Sequence, residues 1–125
     1  MADMKEKSVT LLASTTVPLN TVTDTTLYTV PTGKRCILHS ALFVAGGDAG
    51  ASIISIGANG AETNFVGTTS LANLDAQYDT VLIMPLATQT PLTLKSYAAG
   101  TVIEAAVTTS AGNATNTLFL YGTIY

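Results

Sequence analysis

The chain has 125 residues, of which 10% are charged and 47% hydrophobic, with a formal net charge of −3 and one cysteine. The length fits one domain able to bury a proper core. The acidic balance excludes the basic patch expected of a nucleic-acid binder, and the lone Cys36 excludes an internal disulfide. There is no apolar run of the roughly 18 or more residues that a membrane helix needs. The polar start, Met1-Ala2-Asp3-Met4-Lys5-Glu6-Lys7, lacks the apolar stretch and cleavage site of a signal peptide, so the mature chain is expected to begin here in a cytoplasm. Charged residues ordinarily make up about 25% of a globular chain. Here threonine, serine, alanine and glycine replace them. Threonine suits a pleated, half-buried surface, whereas the scarce Lys, Glu, Arg and Gln would favour helices.

Residues 1–7 concentrate charge in Asp3, Lys5, Glu6 and Lys7 and read as a flexible N-terminal arm. Residues 8–125 read as one β domain. Val9 to Ser14 is the first strand candidate, and Pro18-Leu19-Asn20 breaks it. Thr25 to Val30 alternates and stops at the turn Pro31-Thr32-Gly33, where Pro presets φ and Gly permits positive φ. Arg35 to Ala45 is the strongest strand signal. Both of its parities are mostly apolar, which predicts a central strand covered on both sides.

Gly46 to Gly50 is a loop. Ser52 to Ile56 is a strand leading to Asn59-Gly60, a hairpin signal, and Glu62 to Val66 follows as a short strand. Across Ser70 to Tyr78, the spacing of Leu71, Leu74 and Tyr78 would allow a helical turn. Thr80 to Leu86, Pro91 to Tyr97, Thr101 to Thr109 and Thr117 to Tyr125 complete the strands. About nine candidates at intervals of roughly ten to twelve residues are the mark of an antiparallel β-sandwich or barrel.

Catalytic chemistry finds little to work with. The single histidine, His39, lies in the most apolar strand and reads as half-buried and structural. Cys36 lies three residues before it, so the two point to opposite faces of an extended strand; Cys36 reads as a small core residue. The carboxylates Asp24, Asp48, Glu62, Asp75, Asp79 and Glu104 are scattered. Only Asp75 and Asp79 lie close in sequence, and they read as loop or capping residues without a third ligand. The glycine loop lacks the ending of a phosphate loop. Asn113-Ala114-Thr115 is a glycosylation sequon that reads as accidental, since no secretion signal is expected. Lys34-Arg35 reads as a strand-edge charge that discourages stray pairing, or as a contact for an acidic partner surface. Neither enzymatic activity nor a cofactor nor a metal is expected. Charge-poor faces are instead common where chains assemble.

The segment Thr26 to Arg35, TLYTVPTGKR, followed by CILHSALFVA, resembles a pattern of tailed-bacteriophage virion proteins, among them the small capsid decoration (cement) proteins. The closing VIEAAVTTSAGNATNTLFLYGTIY is similar in style. This resemblance implies a jelly-roll-like β-sandwich of about eight or nine strands that binds the outside of an icosahedral head. It also implies a homotrimer more readily than a homodimer, clamping subunits of the major capsid protein against internal pressure. The protein would be made in the host cytoplasm and end on the capsid exterior, without nucleic-acid or membrane partners. On this reading the capsid contacts fall on Met4, Lys5 and Lys7 of the arm and on Lys34 and Arg35. The alternative is a tail or fibre-associated module that binds a receptor or glycan.

Overall fold

The computed structural model describes residues 9–85, 91 and 93–125. Among them are nine strands and no helix: β1 Thr10–Val17, β2 Asp24–Thr29, β3 Cys36–Val44, β4 Ile53–Ala58, β5 Ala61–Ser70, β6 Thr80–Ile83, β7 Ser96–Tyr97, β8 Val102–Thr109 and β9 Asn116–Ile124. Every pairing is antiparallel. One sheet has the order β1-β9-β3-β6, with β7 also on β3, and the other has the order β2-β8-β4-β5. Apart from short β7, only β4 and β5 are both consecutive and paired. The remaining connections cross between sheets. This is the strand order of a jelly roll, an all-β architecture built from two Greek keys.

The two sheets enclose one core. From the first sheet come Val17, Leu38, Phe43, Leu118 and Leu120, and from the second Ile54, Ile56, Ile103 and Val107. Strand β3 lies centrally in its sheet, as its sequence predicts, but it is not covered on both sides. A β-bulge falls between Leu38 and Ser40, where β9 advances by only one residue. Cys36 and Leu38 point inward before the bulge; Ala41 and Phe43 point inward after it. A bulge adds one residue and so reverses the parity. Each parity therefore serves the core in one half of the strand, while Ile37, Leu42 and Val44 stay half-buried on the outer face. His39 is the inserted residue and is exposed rather than half-buried, its Nδ1 lying 3.0 Å from Ser40 Oγ.

Other departures have local causes. No helical turn forms over Ser70 to Tyr78: Leu71 and Leu74 enter the core, while Tyr78 stands 76% exposed. Its φ of 74° is unusual for a bulky residue, and the pairs Tyr78 N to Ala45 O and Ala45 N to Asp79 O, both 2.8 Å, hold it there. Among the described residues of the alternating stretch from Pro91 to Tyr97, Ser96 and Tyr97 alone pair, both with β3. Strand β5 runs far beyond Val66, to Ser70. At the hairpin, Asn59-Gly60 joins β4 to β5 as expected, with Gly60 alone at positive φ.

A buried amide fastens one end of the sandwich. Asn116, 1% exposed, accepts from Gly46 N (3.0 Å) and donates to Val17 O (2.9 Å) and Asn113 O (3.1 Å). It thus ties the ends of β1, β3 and the last loop to the start of β9. Asn116→Ala strands a buried donor and a buried acceptor, each costing about 1–3 kcal/mol. Phe43→Ala, at a fully buried position, is expected to cost about 3–5 kcal/mol. Urea denaturation followed by circular dichroism checks both, with exposed Thr68→Ala as the near-neutral control.

Candidate functional site

The carboxylates that look scattered in sequence converge in space. Asp24, Glu62 and Glu104 each bring an oxygen to a place where all three atoms lie within 4.8 Å of one another. Strand register explains the meeting. On β8, Ile103, Ala105 and Val107 face the core, so Glu104 and Ala106 face outward. Thr26 of β2 and Gly57 of β4 flank Glu104 directly, and Asp24 lies opposite Ala106, diagonal to Glu104 on the same face. Such diagonal neighbours come within reach of long side chains. Glu62 enters from the first residues of β5, just beyond the hairpin.

Gly57 makes the approach possible. A Cβ there would collide with the Ala61 carbonyl, the Asn64 amide oxygen and the Glu62 backbone. The start of β5 therefore packs against the bare backbone of β4, next to Glu104. Asn64 secures this crossing, its Oδ1 accepting from Ala58 N (3.1 Å) and from Tyr97 Oη (2.9 Å).

Glu104 is only 8% exposed, and its Oε1 has no hydrogen-bond partner among the described residues. Ser55 Oγ, on the same outward face of β4 two residues from Gly57, is likewise buried and unpartnered. Burial pushes the Glu104 carboxyl above its ordinary range, and the like charges of Asp24 and Glu62 push in the same direction. Glu62 is held below that range, first by a hydrogen bond from the Gly60 backbone N–H and then by others, including one with Glu104.

The basic pair occupies the other sheet. Arg35 precedes β3 and does not lie on a sheet edge, since its backbone exchanges hydrogen bonds with Tyr125 (2.8 and 3.0 Å) in continuation of the β3–β9 ladder. The strand-edge reading of this residue is thereby corrected. Its Nε donates to Ser96 Oγ (3.2 Å), which lies 3.3 Å from Tyr125 Oη. The Ser96 contact, and then Arg35 itself, lower the Tyr125 hydroxyl from its ordinary value. Lys34 is half-buried beside it, with its backbone N–H on Pro31 O. Met4, Lys5 and Lys7 lie outside the described residues.

Cys36 is fully buried, and burial pushes its thiol up to about 11, so it is a core residue without nucleophilic character. Asp79 caps its own loop, accepting from Asp75 N and Ala76 N. A groove of about 620 Å³ runs between β5 and β6, lined by 65–69 and 81–85 without a charged residue.

The acidic cluster escapes sequence reading because its members are 38 and 42 positions apart (62 − 24 and 104 − 62). One local signal exists. Glu104 interrupts the otherwise apolar Val102-Ile103-Glu104-Ala105-Ala106-Val107, the kind of position where a carboxylate needs a reason. No known protein family, characterised protein or solved structure matches the chain.

In monovalent salt, the cluster predicts a pH signature. Glu104 has a folded-state value above its unfolded one, so its contribution favours folding at low pH and is lost as pH rises from the ordinary value of 4.5 through the folded value. Glu62 acts in the opposite sense, but below 4.5. Thermal unfolding between pH 4.5 and 7 should show the wild type losing stability relative to Glu104→Gln as pH rises. Parallel profiles for the two proteins would contradict this.

Proposed function

We propose that this chain is a virion structural protein that binds the outer surface of a phage capsid and stabilises the shell by bridging capsid subunits, without enzymatic activity. The observation that carries the reading is the jelly-roll strand order, β1-β9-β3-β6 facing β2-β8-β4-β5. It is an architecture shared by viral capsid and lectin domains. A fold alone does not assign a function, so the surface supplies the second part of the support. Charged residues are 10% of the chain, and the β5–β6 groove has none in its lining. Leu82 and Met84 stand 55% and 45% exposed there. Charge depletion with exposed apolar and aromatic side chains is the composition of an interface core.

Two surfaces divide the work in this proposal. The β5–β6 edge meets a second copy of the chain in a homotrimer. Lys34 and Arg35, with the arm residues Met4, Lys5 and Lys7, meet the major capsid protein. Tyr78 supports an assembly role as well, because a strained backbone that holds an aromatic ring in solvent is the kind of anchor that interfaces use.

Co-sedimentation with expanded, undecorated heads tests the reading. Binding should saturate at a fixed number of copies per head. Deletion of residues 1–7, and separately Lys34→Ala with Arg35→Ala, should weaken attachment about tenfold or more while leaving the circular dichroism spectrum intact. A chain that stays monomeric and leaves the heads in the supernatant would defeat the proposal. Saturable binding to host cells or glycans instead would favour the fibre-associated alternative.

A further inference from the structure

We propose that Asp24, Glu62 and Glu104 form a calcium-binding site that clips β2, β8 and the start of β5 together on the outer face of the second sheet. This goes beyond the capsid reading and does not depend on it.

The first support is geometric. Oxygen ligands bind Ca²⁺ at roughly 2.3–2.6 Å, so two of them on opposite sides of one ion stand about 4.6–5.2 Å apart. The three carboxylate oxygens already lie within 4.8 Å of one another, inside the span that one such shell covers. Mg²⁺ demands near-ideal octahedral geometry and gives up its waters reluctantly, which suits it less to three carboxylates fixed on separate strands. The donor set is all oxygen, which suits hard cations and not zinc or copper. Asp24 is exposed and Glu62 half-buried, so solvent can reach the open side and complete the coordination shell.

The second support is independent of the clustering. Glu104 Oε1 is buried without a partner, and so is Ser55 Oγ on the same face. Buried polar atoms in native proteins are nearly always satisfied, and an unsatisfied one points to a water or an ion. Ser55 pairs with Ala106 and Gly57 with Glu104, so the serine lies one pleat from the carboxylate, diagonal to it. The charges that bear on Glu104 are Asp24 and Glu62, both of its own sign. Three of the eight acidic residues of a charge-poor chain therefore meet where they repel one another. A divalent cation turns that repulsion into attraction.

Thermal unfolding of the full chain tests the site. After treatment with EDTA and its removal, the protein is titrated with CaCl₂ at pH 7, with ionic strength matched by NaCl. The midpoint should rise saturably, by roughly 10 °C at a hundredfold excess over the dissociation constant. Half-saturation on the order of 10⁻⁴–10⁻³ M is expected, as in extracellular calcium modules. MgCl₂ should produce a smaller shift. Glu104→Gln and, separately, Glu62→Gln should fold in EDTA and lose the calcium response, with isothermal calorimetry showing the same loss of binding heat. The proposal is overturned if the wild type gives neither a saturable shift nor heat up to 10 mM CaCl₂. It is equally overturned if the two variants respond as the wild type does, because calcium would then be acting elsewhere.

Discussion

Both sheets depend on the last two full strands of the chain. Strand β8 inserts between β2 and β4, and β9 inserts between β1 and β3. Until residues 102–124 arrive, each sheet lacks a central strand: β3 can pair with β6 and β7, and β4 with β5, but β1 and β2 have no partner. The bond between Asn116 and Val17 spans 99 residues, and it forms where β9 begins. Contacts so distant in sequence must meet the loop-closure entropy before they return any stability.

That constraint also builds the acidic cluster. Glu104 reaches the outer face only because β8 lies between β2, which brings Asp24, and β4, whose Gly57 lets the start of β5 carry Glu62 across. A side chain at position 57 would push β5 away and open the cluster. The core-facing residues of β8 fix its rotation, since Ile103, Ala105 and Val107 are buried against the opposite sheet. Packing on one face of the strand therefore sets the electrostatics on the other. Strand parity alone transmits the order.

The architecture was legible in the sequence because period-two alternation and turn residues are local signals. The turns at Pro31-Thr32-Gly33 and Asn59-Gly60, and strands β2, β3, β8 and β9, are written in consecutive residues. The bulge at His39 was not legible, since two apolar parities within one strand look the same whether both faces are buried or the parity switches midway. Pro91 to Tyr97 alternates well, yet a strand also needs a neighbour, and among its described residues only Ser96 and Tyr97 find one on β3. The Asp24–Glu62–Glu104 meeting was hidden for the same reason: register between strands distant in sequence is a tertiary property. The basic pair was visible as residues but not as a contact, because its partners Ser96 and Tyr125 come from other parts of the chain.

Charge in this molecule is scarce but ordered. The described basic residues sit together: Lys34 and Arg35 enter β3, and Lys95 precedes Ser96, which pairs with Ile37 at the same end. At the far end of β3, Ala45 bonds to Asp79, and the Asp48 backbone bonds to Asn113. Asp48, Asp75 and Asp79 therefore collect in the loops opposite the basic end. The other three described acids, Asp24, Glu62 and Glu104, form a separate group nearer the basic end, where Glu62 accepts from Gly60 N at the β4–β5 turn and Asn59 N bonds to Val102 O, two residues before Glu104. Complementary potentials steer an encounter and fix orientation more than they add affinity. On the proposed assembly reading, the apolar groove between β5 and β6 supplies the attraction, while the three charge groups of an otherwise neutral body set which way the molecule faces.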